Sequence, residues 1–214
     1  MGVLGGNMQN IIAMIFMITQ MSGSSIPGMN KSLIRVTPKE KEDETLMSGK
    51  TTIGGFGAPV VKFSEINDEF AILVGGCGGL IINHAFVIGG GGYGLVNDIE
   101  VSGLPYPEYR WLNFGYGGLL LGYVNRSRKL AHFSIHSLIG GGGLCYRTMY
   151  YDDWYNDAIF VIEPGIDLML NVSKNFRIGF GGSYRFINGV DLVGLDNDDI
   201  SGPSACFTFK FGKF

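Results

Sequence analysis

Charge is scarce in this chain: Asp, Glu, Lys and Arg make up only 16% of its 214 residues. Ordinary soluble domains carry about 25%. The chain is therefore short of the groups that keep a surface wet, and its mean hydropathy is positive, at +0.21. Net charge is −3, and no run of Lys and Arg forms a patch or stripe, which excludes nucleic acid as an expected partner. Cysteine occurs only as Cys77, Cys145 and Cys206. Three widely spaced thiols neither build a dense disulfide framework nor show metal-ligand spacing. Buried or wall-lining thiols are expected instead. The N-terminal apolar run, Ile11–Thr19, is about half the roughly 20 residues that a membrane-spanning helix needs. Helical periodicity is also missing from Lys50 onward.

What is present in its place is alternation. In Phe176–Phe186, even positions give Phe176, Ile178, Phe180, Tyr184 and Phe186; odd positions give Arg177, Ser183, Arg185 and glycines. Period two is the signature of a strand with two different environments. Ala158–Val172 behaves alike, with Phe160, Ile162, Ile166, Leu168 and Leu170 against Glu163, Asp167 and Asn171. Eight strand-like segments follow one another: Lys50–Phe63, Glu69–Asn83, His84–Val96, Tyr109–Val124, Leu130–Tyr146, Ala158–Val172, Phe176–Asn188 and Pro203–Lys213. Most exceed the usual 5–6 residues of a soluble strand and the roughly 9–11 that cross a bilayer when tilted. Phe133, Ile135 and Ile139 oppose His132, Ser134 and His136; Phe207, Phe209 and Phe211 oppose Cys206, Thr208 and Lys210. By the same reasoning Leu112, Phe114, Tyr116, Leu120 and Val124 form an apolar face against Asn113, Gly115 and Gly117.

The connections alternate in length. Asn83-His84, Asn125–Lys129 and Ser173–Asn175 are short; Asn97–Glu108, Arg147–Asp157 and Gly189–Gly202 are long; Ser64–Asp68 is intermediate. Such alternation puts long loops at one rim and short turns at the other. The 35 glycines far exceed the average of about 7%. Inside a narrow barrel they leave room for larger inward residues and let the wall coil sharply. Pro59 and Pro164 break ladder bonds, so each is expected at a bulge.

With eight alternating strands, this loop asymmetry and an aromatic final strand ending in Phe214, the region from Lys50 to Phe214 resembles small bacterial outer-membrane β-barrel proteins. Glu163-Pro164-Gly165 to Ser183-Tyr184-Arg185 looks like the late hairpin of OmpA-type domains. The resemblance implies an all-β fold, an eight-stranded antiparallel up-and-down transmembrane β-barrel. It implies a Gram-negative outer-membrane location, with membrane lipid and lipopolysaccharide as surroundings and the barrel-assembly machinery as a partner during insertion. Phe207, Phe209 and Phe211 share a parity that Phe214 breaks, so a bulge at Gly212 or a degenerate terminal signal is expected. Residues 1–25 read as a signal peptide with small residues at Ser22–Ser25, but without a basic N-terminal region. Residues 26–49 read as a polar periplasmic linker, and 50–214 as the barrel of a monomer.

Four side chains are expected to meet in the lumen: Glu163 with Arg185, and Asp167 with Arg177, across one hairpin. A barrel this narrow then reads as plugged rather than conducting. His132 and Ser134 point the same way from a strand, the spacing of a base and a nucleophile. Lipid A deacylases carry such a pair facing lipid, whereas parity here turns it inward, so lumenal hydrogen bonding is expected and no catalytic residue is assigned. Tyr151, Asp152, Trp154 and Tyr155 in one long loop, and Asp196 and Asp198 in another, are candidate surface contacts. Asp196-Asn197-Asp198 lacks the remaining spacing of a calcium loop, and no cofactor or metal is expected. The expected role is therefore non-enzymatic, structural or interactive through the loops. The alternatives are a small-solute or lipid transport barrel, or a soluble lipocalin-like binder of an apolar ligand.

Overall fold

A computed structural model describes residues 51–101, 110–147 and 157–214. The expected signal peptide and linker, the strand residue Lys50, and the loop residues Tyr151, Asp152, Trp154 and Tyr155 lie outside the described residues. Eight long strands form the wall: β1 Ile53–Ile66, β2 Glu69–Ile82, β3 Phe86–Leu95, β5 Arg110–Asn125, β6 Ala131–Arg147, β7 Asp157–Asn171, β8 Phe176–Asn188 and β9 Gly202–Lys213. The two-residue β4, Glu100–Val101, adds to the upper end of β5. Each long strand pairs antiparallel with its sequence neighbour in the wall, and β1–β9 pairing closes the ring. The fold is a closed eight-stranded antiparallel barrel, and all eight sequence segments are strands in it.

Polarity is inverted relative to a soluble barrel on most of the wall. The outward positions of β7 hold Phe160, Ile162, Ile166, Leu168 and Leu170, all exposed, while Glu163 and Asp167 are buried inside. Aromatic side chains mark two levels of the outer face. Phe86 packs on Tyr123 and Phe176 on Phe211 near the short turns; Phe63 packs on Phe70 and Tyr184 on Phe186 near the long loops. From Phe176 to Phe186 a strand rises about 33 Å, or about 25 Å at the usual barrel tilt, the height of the apolar band of an outer-membrane barrel.

On β5 the orientation differs from the sequence expectation. Leu112, Phe114, Tyr116, Leu120 and Val124 are buried inside, whereas Leu119, Leu121 and Tyr123 face out. The reason is that the interior is not uniformly polar. Toward the long-loop rim it is packed with Leu73, Ile99, Val101, Leu144, Val161 and Ile200, like the core of a soluble domain. Alternation therefore identifies a strand there but not which side faces out.

Neither proline needs a bulge. Register is the same on both sides of Pro164, with Ile162 opposite Phe186 and Gly165 opposite Ser183. It is also the same on both sides of Pro59 in the β1–β9 pair, with Gly57 opposite Phe211 and Val60 opposite Thr208. Each proline interrupts local bonding and leaves the strand in phase. No bulge occurs at Gly212 either, which pairs with Phe56. Phe214 follows that register to the inward side and lies half-buried beneath Arg177. The first connection is shorter than expected, because β1 runs through Ile66. Asn67 and Asp68, at φ 53° and 60°, make a two-residue turn whose left-handed backbone suits the strand twist.

Glycines line up across four neighbouring strands. Gly76, Gly92, Gly117 and Gly141 sit in one register row across β2, β3, β5 and β6. Two inward glycines show why side chains are excluded. A Cβ on Gly91 would press on Leu138 Cδ1 at 3.2 Å, and one on Gly142 would sit 2.7 Å from Tyr116 Cβ. The missing side chains make space for the large residues of neighbouring strands.

Candidate functional site: the lumenal charge cluster

Glu163 on β7 is the centre of the lumen. Its carboxylate accepts from Lys62 Nζ at 2.7 Å to both oxygens, from Tyr116 Oη at 2.7 Å and from Ser183 Oγ at 2.5 Å. Lys62 and Glu163 are 3% and 1% exposed, so the pair is fully desolvated. The ammonium also rests on the face of Tyr93, 3.4 Å from the ring centroid. A buried ion pair is tolerated when its remaining hydrogen-bonding capacity is used, and four strands contribute to doing so here.

All four charged residues singled out in the sequence point inward and are buried, but their partners differ from the expected ones. Register does set Glu163 level with Arg185. Yet Arg185 donates from Nε to Ile200 O at 2.8 Å and from Nη2 to Ser64 Oγ at 3.4 Å. It holds the base of a rim loop, while Lys62 takes the carboxylate. Asp167 lies opposite Gly181 rather than Arg177, and its Oδ2 is 3.3 Å from His136 Nδ1. Arg177 instead stacks over Phe214, with Cζ 3.8 Å from the ring centroid. Cross-strand parity within one hairpin cannot reveal a partner contributed across the lumen. Poor alternation in β1 hides Lys62 in the sequence, although Val60-Val61-Lys62-Phe63 places one cation in an apolar run, a usable signal.

Below Glu163 the lumen narrows to a cavity of about 30 Å³, bordered by Lys62, Cys77, Ser134, His136, Asp167 and Lys210. That volume holds about two waters. His132 and Ser134 are both buried on the inner face, and His132 Nδ1 lies 3.3 Å from Lys129 O. A pair in that position has no access to lipid. Among the described residues, no group of His, Cys, Asp and Glu is arranged to hold a metal ion.

At the long-loop rim a single helical turn, α1 (Asn197–Ile200), interrupts the final loop. Asp199 Oδ2 accepts from Asp196 N at 2.7 Å, and Asn197 Oδ1 accepts from Val190 N at 3.0 Å. Asp199 and Asn197 are thus spent on folding the loop, while Asp196 and Asp198 stay exposed. Asn197→Ala is expected to loosen only this loop. Limited proteolysis would then cleave between Gly189 and Ser201 faster than in the wild type, with the barrel intact.

No protein-family model matches the chain, and no curated protein does. Solved structures do. The chain is similar to Neisserial surface protein A, with 10% identity and a TM-score of 0.55, over 78% of this chain and 100% of that one. It is similar to the N-terminal β-barrel domain of OprF from Pseudomonas aeruginosa, with 10% identity and a TM-score of 0.52, over 76% of this chain and 99% of that one. At such identity the likeness is one of fold: a small closed barrel of the outer-membrane type.

Proposed function

We propose that this chain is an integral outer-membrane barrel of a Gram-negative bacterium, with a non-enzymatic structural or surface-interaction role carried by its long-loop rim. The observation that carries this reading is the inverted polarity of the wall. Exposed Phe160, Ile166, Leu168 and Phe180 face outward, between two levels of aromatic side chains, while Lys62 and Glu163 are sealed inside. A soluble lipocalin-like barrel would need the reverse, with an apolar cavity and a wet exterior. The small cavity argues against a solute path as well. The long-loop rim is acidic, with Glu65, Asp68, Glu69, Asp98, Asp191, Asp196 and Asp198 near it, and loops there are the surface offered to the outside.

Fractionation tests the location. The protein is expected in the outer-membrane fraction as a band whose electrophoretic mobility changes on boiling, whereas a soluble, detergent-free monomer would overturn the reading. Planar-bilayer recording tests the sealed lumen. Refolded protein is expected to give no steady conductance, and a stable open level in most insertions would sink the plug.

A further inference from the structure

The cations of this chain are scattered in sequence but gathered by the topology. Arg126, Arg128 and Lys129 lie in the β5–β6 turn, Lys174 in the β7–β8 turn, Arg177 at the start of β8 and Lys213 at the end of β9. All reach the short-turn rim. A groove of about 640 Å³ runs there between the two turns and the end of β9, lined by Ser127, Arg128, Ser173, Lys174, Arg177 and Lys213. No Asp or Glu lines it. Its volume falls in the range of small-molecule sites, about 300–1,000 Å³.

Two features separate this groove from a rim that is merely basic. The first is Arg177. It is only 7% exposed, and its guanidinium rests on the Phe214 ring. Among the described residues it makes no hydrogen bond, and no carboxylate lies within ion-pair distance of it. Its nitrogens are not sealed from solvent and it lines the groove, so its planar donors are left available to something that enters there. The second is that both turns are held in place. Asn171 Nδ2 donates to Ser127 O at 2.9 Å and Lys129 O at 2.6 Å. Asn175 Nδ2 donates to Gly212 O at 2.9 Å, and Gly212 N returns a bond to Asn175 O at 3.0 Å. The surrounding cations are therefore carried on a fixed frame and need little ordering on binding.

We propose that this groove binds a phosphate group, with Arg177 as the bidentate donor at its floor and Arg128, Lys174 and Lys213 around it. A guanidinium fork matches two phosphate oxygens, and the hydroxyls of Ser127 and Ser173 are further polar groups of the lining. The phosphate can be presented by an anionic phospholipid headgroup at the adjacent membrane face or by a soluble phosphate ester. The site does not depend on which side of the membrane the rim faces, so its test is separate from that of the location.

Refolded full-length protein in an uncharged detergent would be titrated calorimetrically with inorganic phosphate and glycerol phosphate, against sodium chloride at equal ionic strength. Saturable heat is expected with both phosphates and not with chloride. Arg177→Gln is expected to weaken binding at least tenfold, and Arg177→Lys to recover only part of it, because charge returns without the fork. Arg147→Gln, at the opposite rim, is expected to bind as the wild type does. If Arg177→Gln does not refold, the double variant Lys174→Gln/Lys213→Gln provides the comparison, with an expected loss of about threefold or more. Repeating the titration in phosphatidylglycerol vesicles separates the sources. Loss of the phosphate heat there, with retention in phosphatidylcholine vesicles, assigns the site to a lipid headgroup, and retention in both assigns it to a soluble ester. Equal heats with chloride, or unchanged binding when the groove cations are removed, would overturn the proposal.

Discussion

Glu163→Gln is expected to destabilise the barrel more than any other conservative change in the lumen. The amide keeps the shape but has one acceptor oxygen, whereas Tyr116 and Ser183 donate to one carboxylate oxygen each, and it leaves the Lys62 ammonium buried opposite a neutral group. Stranding one member of a buried ion pair typically costs about 3–5 kcal/mol. Urea unfolding of refolded protein in lipid bilayers, followed by the gel-mobility difference between folded and unfolded forms, measures it. Lys62→Met alone is expected to be comparably harmful, since it strands the carboxylate. The double variant Lys62→Met/Glu163→Leu discriminates between explanations. With both charges gone, the desolvation penalty disappears, and much of the loss should be recovered. Recovery should stay incomplete, because Tyr116 and Ser183 lose their acceptor and Tyr93 its cation. If the two single losses simply add, the pair is not coupled and the lumen is not organised around Glu163. Such a result would also weaken the sealed-lumen reading, which rests on this cluster.

The two halves of the molecule were not equally legible in the sequence. From β6 to β9 the outward residues are mostly large and apolar, and the inward faces carry the polar side chains and several glycines, interrupted by Leu138, Leu144, Val161 and Met169. Period-two alternation there fixed both strand identity and orientation, as the burial of Asp167, Ser183 and Arg185 shows. From β1 to β5 it did not. Glycines occupy both faces of β2 and β3, and the upper lumen is aliphatic, so inward Leu112 and outward Leu121 look alike in sequence. Hydrophobicity reports an environment only where the two environments differ. The charge cluster was legible as a set of inward residues and illegible as a set of pairs. Glu163 chose Lys62 because β1 faces it across a narrow lumen, a relation set by barrel closure through β1–β9 pairing and not by neighbours along the chain. Arg185 was then free to hold Ile200 O, and Arg177 to rest on Phe214. The rim cations were individually visible, but only the topology places Arg128, Lys174 and Lys213 around one groove.

The facing glycines Gly118 and Gly140 yield the other large effect. At Gly140 on β6 an added Cβ would fall within hard contact of Gly117 O and 2.5 Å from Gly118 Cα. Those atoms are backbone of the neighbouring strand, so relief requires moving β5 away from β6 and stretching ladder bonds. The site is mutual, because a Cβ on Gly118 would collide in turn with Ile139 O and Gly140 Cα. Gly140→Val is therefore expected to prevent closure of the barrel in most molecules, leaving little or no folded band after refolding into lipid. Gly140→Ala should retain a reduced folded fraction. Gly57 on the outer face of β1 has nothing within 4 Å of where its Cβ would lie, and Gly57→Val should fold at least as well as the wild type, since a β-branched side chain suits a strand. The comparison separates two roles for the same residue type. If glycine served only to make the chain pliable during insertion, Gly140 and Gly57 would respond alike. If it served close strand approach, only Gly140 would fail. The geometry favours the second, because contact between strands rather than backbone conformation excludes the side chain: both residues sit in extended strand, outside the left-handed region.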